Sequence, residues 1–170
     1  MNLKDRIRDI PDFPVEGVLF RDITPLLYDP VYFRRAVDDM RDKLNGIEFD
    51  IIAGPESRGF VFGTPLAYNM QKPFVPVRKA GKLPYKTRSA EYELEYGKAV
   101  VEMHIDAVKP GDRVVITDDL LATGGTAKAI CKLIEELGGT VAAIVFLIEL
   151  ESLGGRAVLD GYCLKTLLTY

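Results

Sequence analysis

Short apolar runs alternate with amphipathic stretches along most of the chain. Short apolar runs are typical of buried β-strands, and apolar residues at helical spacing predict helices. The predicted strands span residues 49–53, 74–77, 99–105, 113–117 and 141–148, and the predicted helices span 31–44, 57–71 and 126–137. Strands that alternate with helices of about 10–15 residues favour a parallel sheet covered on both faces. The pattern therefore predicts an α/β fold.

Two parts of the chain lie outside this alternation. Residues 3–10 (LKDRIRDI) have the pattern of a short amphipathic helix stopped by Pro11, and residues 12–30 hold three prolines and are predicted to be irregular. Residues 78–98 are polar and rich in Lys and Glu, which predicts a long loop, and such loops are usually functional or mobile. No linker or low-complexity segment divides the chain, so we predict a single domain over residues 1–170.

Composition narrows the functional classes. The chain has 170 residues, of which 48% are hydrophobic and 28% charged, and this balance argues against disorder. A net charge of −3 argues against a broad nucleic-acid surface, which is normally basic. The N-terminus carries no apolar signal segment, and the longest apolar run, residues 141–148, is far shorter than the roughly 20 residues of a membrane helix. We therefore expect a soluble, cytoplasmic protein that binds neither nucleic acid nor membrane.

The two cysteines and the single histidine point to no chemistry of their own. Cys131 and Cys163 are too few for a disulfide framework and lie in apolar stretches, so they are predicted to be buried free thiols. His104 lies in an alternating strand, and no cluster of His and Cys indicates a zinc site.

The segment VVITDDLLATGGT, residues 114–126, carries the strongest chemical pattern. An apolar strand is followed by two carboxylates, a loop of small residues and a helix, and ligands of α/β sheets bind at the carboxyl ends of strands. Backbone N–H groups at a helix N-terminus favour an anion, and Gly124 and Gly125 allow its close approach. Thr123 and Thr126 add hydroxyl donors, so the loop is predicted to bind a phosphate.

The two carboxylates of this segment need a different task. Asp118 and Asp119 would repel a bare phosphate, so they are predicted to bind sugar hydroxyls or to approach a metal ion. The alternative is a tight turn in which a threonine caps the next helix and both aspartates are solvated. A Walker loop is excluded, because no Gly-Lys-Ser/Thr follows at the required spacing.

The same segment resembles the phosphoribosyl pyrophosphate (PRPP) motif of the type I phosphoribosyltransferases. Three further stretches occur in the family's order and narrow the resemblance to its adenine-specific branch. They are FPVEGVLFRDITP (13–25), AGPESRGF (53–60) and RKAGKLP (78–84) with LEYG (94–97). The resemblance covers essentially the whole chain, and it implies a Rossmann-like parallel sheet flanked by helices, with a small N-terminal hood.

The resemblance implies roles for the residues that would hold PRPP. The 5′-phosphate would be held by Ala122, Thr123, Gly124, Gly125 and Thr126, and the ribose hydroxyls by Asp118 and Asp119. The pyrophosphate would be held by Ser57, Arg58, Arg78 and Lys79, the last two possibly across a dimer interface. The family has a cis peptide bond in this loop, here Glu56–Ser57, and it often has aspartate where this chain has Glu56.

The resemblance also implies an adenine site and a group that manages its proton. Phe20 would stack on the base, the backbone of Leu19 and Arg21 would read its edge, and Leu150 would close the other face. Glu95 matches the glutamate proposed for proton transfer. Without the family, Phe20 has the pattern of a core aromatic residue, and Glu95 that of a solvated acidic face.

The reaction that the resemblance implies is the conversion of adenine and PRPP to AMP and pyrophosphate by a homodimer. Its cofactor would be Mg²⁺, held mainly through substrate and water rather than by direct protein ligands. A transferase for xanthine or hypoxanthine would share the PRPP motif, and the hood residues FRDITP (20–25) argue against it. A non-enzymatic regulator that senses PRPP is a further alternative, and the acidic net charge argues against a DNA-binding form of it.

Overall fold

A computed structural model describes residues 2–93 and 97–170. The chain divides into two compact units, residues 1–39 and 40–170, which are described separately below. The prediction of one domain over the whole chain stays a prediction.

The first unit is built from short elements. A 3₁₀ helix (Leu3–Arg6) precedes strand β1 (Arg8–Ile10), and strand β2 (Phe20–Asp22) pairs antiparallel with β1. Helix α1 (Thr24–Tyr28) follows, and helix α2 (Pro30–Lys43) begins in this unit. The prediction of one helix over residues 3–10 is wrong because Arg8–Ile10 pairs with β2 instead. Residues 12–30 are likewise not wholly irregular, since they contain β2 and α1.

The second unit contains a seven-stranded sheet. Its strands are β3 (Ile51–Pro55), β4 (Phe74–Lys79), β5 (Thr87–Glu93), β6 (Lys98–His104), β7 (Arg113–Leu121), β8 (Thr140–Glu149) and β9 (Leu164–Thr169). Its helices are α3 (Arg58–Asn69), α4 (Gly125–Glu136) and α5 (Gly155–Val158), with a 3₁₀ helix at Glu151–Leu153. The strand order is β5-β6-β4-β3-β7-β8-β9, and the pairs among β4, β3, β7, β8 and β9 are parallel. The predicted α/β fold with a largely parallel sheet is confirmed.

Residues 78–98 are not the long loop that their polarity predicts. β5 and β6 form an antiparallel hairpin, and Arg78 and Lys79 end strand β4. β5 lies at the edge of the sheet, where polar side chains are solvated, while Ala90 on its inner face is buried in the core. The sequence of β5 does not have the apolar pattern of a buried strand, because only one side of this strand contacts the core. Glu95 lies outside the described residues.

Strand β7 lies in the interior of the sheet, next to the central strand β3. Val114, Val115 and Ile116 are fully buried, because β3 and β8 flank this strand and helices α3 and α4 pack against it. β3, β4, β7 and β8 run in the same direction, so the segments that follow them meet at one edge of the sheet.

The predictions about the two cysteines have different outcomes. Cys131 is buried, as predicted, whereas Cys163 is exposed, because it lies in the short connection between α5 and β9. None of the helices within residues 2–93 and 97–170 has the length and apolar composition that a membrane crossing requires.

Candidate active site

A cavity lies at the carboxyl ends of β3, β4 and β7. It has a volume of about 450 Å³ and is called the main cavity below. The predicted site residues on its wall are Ser57, Arg58, Arg78, Lys79, Asp118, Asp119 and Thr126. The fold therefore brings together residues from three separate stretches of the sequence.

Asp118, which is partly buried, and Asp119, which is buried, form an acidic pair near the end of β7. Asp119 is only 4% exposed, and its Oδ2 lies 2.8 Å from Nε of Arg58. Its backbone N–H donates to Oδ1 of Asp118 at 2.8 Å. Burial raises the pKa of Asp118, and the neighbouring charge of Asp119 raises it further. Burial also raises the pKa of Asp119, although Arg58 opposes that shift. Hydroxyl donors or a cation from a ligand would therefore stabilise the ionised pair.

The loop that follows β3 is tied to the end of β4 by Glu56. Oε1 of Glu56 accepts the backbone N–H of Lys79 at 2.8 Å and Nε of Arg78 at 3.2 Å. These two interactions, the first being the larger, hold the pKa of Glu56 below its usual range. The Glu56–Ser57 peptide bond is cis, as the resemblance implied. Glu56 thus holds the Arg78 side chain and the Lys79 backbone at the cavity wall, which Arg58 also lines.

Residues 122–126, called the phosphate loop below, line a second and smaller cavity next to Asp118. This cavity has a volume of about 80 Å³. Helix α4 begins at Gly125, and its N-cap residue Gly124 has φ +84° and provides no side-chain cap. The first backbone N–H groups of α4 are therefore available to an anion, and the helix dipole favours one there.

Gly124 is required by its surroundings as well as by its backbone conformation. A Cβ at this position would lie 2.8 Å from the carbonyl oxygen of Gly155 and 3.2 Å from Cβ of Val158. The turn that begins α5 thus lies directly against the phosphate loop.

The predicted adenine residues belong to both units of the chain. Phe20 is only partly buried on β2, and its ring packs edge-on against Phe13 with centroids 5.1 Å apart. Arg21 forms an ion pair with Asp9, and Leu19 is 45% exposed. All of these belong to the first unit. Leu150 belongs to the second, directly after β8, and its N–H donates to the carbonyl of Leu121 at 2.9 Å.

Sequence reasoning missed two residues of this site. Tyr92 on β5 lines the main cavity, and its ring would lie 3.3 Å from a Cβ on Gly125. The contact of Glu56 with β4 was also missed. Ala90 and Tyr92 are two positions apart among charged residues, and this spacing could have indicated the inward face of a strand. No sequence pattern indicates the Glu56 contact.

Comparisons with known proteins identify the family of this chain. Residues 33–167 match the family model described as phosphoribosyl transferase domain. A curated adenine phosphoribosyltransferase of Lachnoclostridium phytofermentans is 57% identical over 168 residues, which cover 99% of this chain and 97% of the relative.

Solved structures give the same result. The crystal structure of adenine phosphoribosyltransferase from Thermoanaerobacter pseudethanolicus is 55% identical, with a TM-score of 0.97 over 99% of this chain and 98% of that one. The Saccharomyces cerevisiae enzyme, complexed with an imino-altritol bisphosphate and adenine, is 40% identical, with a TM-score of 0.90 over 95% and 94% of the two chains. The chain therefore belongs to the adenine phosphoribosyltransferases, within the phosphoribosyltransferase family.

Proposed function

We propose that this protein transfers the phosphoribosyl group of PRPP to adenine and so forms AMP and pyrophosphate. One observation carries the proposal: a glycine loop at a helix N-terminus, an acidic pair and three cationic side chains lie side by side at one edge of the sheet. A sugar that bears a phosphate at one end and a pyrophosphate at the other matches that order of groups. The C1–O bond to pyrophosphate breaks and its electron pair stays on the pyrophosphate oxygen, the lone pair of adenine N9 bonds to C1, and the proton of the purine five-membered ring passes to a carboxylate.

The phosphate loop holds the 5′-phosphate of PRPP. Backbone N–H groups of residues 122–126 donate to its oxygens, with the hydroxyls of Thr123 and Thr126 as further donors. Asp118 lines the same small cavity and the main cavity. Its carboxylate and that of Asp119 accept hydrogen bonds from the ribose hydroxyls, which lowers the cost of keeping the pair ionised.

Ser57, Arg58, Arg78 and Lys79 bind the pyrophosphate. The leaving group is anionic, so fixed positive charge stabilises the transition state, in which negative charge develops on the departing oxygen. Arg58 reaches this group from the start of α3, and Glu56 keeps Arg78 and Lys79 in place. The site therefore works mainly by positioning and by electrostatic stabilisation.

The residues of the main cavity also fit the Mg²⁺ that phosphoribosyltransferases use with PRPP. Mg²⁺ prefers oxygen ligands and keeps several waters, so Asp118 and Asp119 would face it mainly through water and substrate. Within residues 2–93 and 97–170, His, Cys, Asp and Glu side chains form no group of three that could hold a metal. When bound with the substrate, Mg²⁺ would neutralise charge on the pyrophosphate.

The proposal also assigns residues to the adenine site. Phe20 stacks on the base, the backbone of Leu19 and Arg21 reads its amino edge, and Leu150 covers the opposite face. Glu95 shares the purine proton at N7 and so stabilises the charge that develops as N9 attacks. We further propose that the protein is cytoplasmic and forms a homodimer. Sedimentation equilibrium of the purified protein tests the dimer.

The decisive experiment is a panel of purine bases assayed with PRPP and Mg²⁺, with nucleotide product measured by chromatography. Adenine is expected to give AMP, and hypoxanthine should have a kcat/KM about 10⁴-fold lower, because a site that pairs a polar group rejects analogues that leave it unpaired. Comparable values for the two bases would contradict adenine specificity. PRPP binding without any nucleotide product would indicate a regulator that senses PRPP.

A further inference from the structure

Glu149 is a buried charge that the proposed reaction does not use. It is the last residue of β8 and only 3% exposed. In the parallel register it lies beside Leu121, which directly precedes the phosphate loop. A carboxylate in such a place is costly unless a partner compensates its charge.

Arg156 compensates this charge with two hydrogen bonds. Its Nε donates to Oε1 of Glu149 at 2.8 Å, and its Nη2 donates to Oε2 at 2.5 Å. Nη2 also lies 3.4 Å from the hydroxyl oxygen of Thr166 on β9. Such a bidentate pair fixes the orientation of both side chains as well as their separation. Arg156 is therefore held at a defined place relative to the ends of β8 and β9.

Arg156 belongs to the short helix α5, whose first residue touches the phosphate loop. A Cβ on Gly155 would lie 2.3 Å from the carbonyl oxygen of Ala122 and 3.1 Å from the backbone nitrogen of Gly124. These contacts join backbone to backbone, so a shift of α5 would move the loop with it. The loop in turn sets the direction of the N–H groups at the start of α4.

We propose that the Glu149–Arg156 ion pair positions the phosphate loop by holding the turn at Gly155 against residues 122–124. The inference rests on the proposed function, since it assigns the 5′-phosphate to this loop. Glu149 and Arg156 are positioning residues, because neither lines the loop cavity and both act through Gly155. The pair also anchors the start of the segment that carries Leu150.

The test replaces Arg156 and measures two ligands that use different parts of the site. Arg156→Met removes the pair, and Arg156→Lys keeps the charge but cannot form the two-pronged contact, so it remains informative if the first variant does not fold. AMP reports on the phosphate loop, whereas pyrophosphate with Mg²⁺ reports on Ser57, Arg58, Arg78 and Lys79. Calorimetry gives both dissociation constants.

Arg113 supplies a matched control at the opposite end of the sheet. It forms the same kind of two-pronged contact with Asp50, at 3.1 and 3.0 Å, but at the amino end of β7. Arg113→Met should lower Tm and leave the dissociation constants of AMP and pyrophosphate unchanged. A purely structural role for Arg156 would produce that same result.

Both Arg156 variants are expected to weaken AMP binding by about tenfold to a hundredfold, the scale for a small misplacement of binding groups. Pyrophosphate binding should stay within roughly twofold of wild type. Wild-type AMP affinity in folded Arg156→Lys would overturn the inference and leave the proposed function intact. Equal losses of AMP and pyrophosphate affinity would do the same. A wild-type protein that binds no AMP would overturn the proposed function and this inference with it.

Discussion

Replacing Gly124 by alanine adds one methyl group at the N-cap of α4. Two costs follow. An L-residue at φ +84° is strained by about 1–2 kcal/mol. The new Cβ would also lie 2.8 Å from the carbonyl oxygen of Gly155, and overpacking of this kind typically costs about 1–3 kcal/mol. We therefore expect Gly124→Ala to lower the free energy of unfolding by roughly 2–5 kcal/mol.

Gly111 isolates the first of these costs. It has φ +91° at the turn before β7, and a Cβ there would meet nothing within 4 Å. Gly111→Ala should cost only about 1–2 kcal/mol. The loss of unfolded-chain entropy that accompanies any Gly→Ala change is common to both variants and cancels in the comparison. The difference between the two variants thus measures the contact between Gly124 and Gly155.

Thermal unfolding and AMP calorimetry make the comparison. One kcal/mol corresponds to about 2–4 °C in Tm for a protein of this size. Gly124→Ala should melt clearly below Gly111→Ala and bind AMP at least about tenfold more weakly, equivalent to about 1.4 kcal/mol, because its N–H groups are displaced. Gly111→Ala should bind AMP as the wild type does. Equal Tm losses together with unchanged AMP affinity would refute the reasoning.

Two further changes test the acidic pair and the proton step. Asp118→Asn removes a carboxylate whose pKa is raised above 3.8 in the folded protein. Ionised Asp118 therefore lowers the free energy of unfolding above about pH 3.8, and it has no such effect in acid, where the group is protonated in both the folded and the unfolded state. Without ligand, the free energy of unfolding of the variant should exceed that of the wild type by about 1–2 kcal/mol at neutral pH, and this gain should disappear in acid, as melting scans across pH can show. The variant should also lose PRPP affinity, which calorimetry measures. Glu95→Gln should lower kcat about 10²–10⁴-fold with KM for PRPP nearly unchanged. Single-turnover rates near wild type would leave Glu95 as a loop latch.

Much of the fold and part of the site follow from local patterns in the sequence. The strands and helices predicted from residue 31 onward agree with the structure, because each buries a continuous apolar run or stripe, whereas the two edge strands β5 and β9 were not predicted. The segment 114–126 also has its predicted form, an apolar strand, an acidic pair, a glycine loop and a helix. Such features depend on neighbours in the chain, and a single sequence contains that information.

Other features depend on which distant segments meet, and only the tertiary structure decided them. β1 and β5 are strands because β2 and β6 supply their hydrogen-bond partners, whereas their own residues favour a helix and a loop. Cys163 is exposed although its neighbours are apolar.

The site shows the same division between local and distant information. Asp118 and Asp119 could be recognised from the strand that precedes them, but their raised pKa values come from burial and mutual proximity in the fold. Glu149 and Arg156 are seven positions apart and carry no motif, and their ion pair exists because β8 ends beside the turn of α5. Side-chain contacts between separate elements depend on the packing of the whole sheet, which local patterns do not encode.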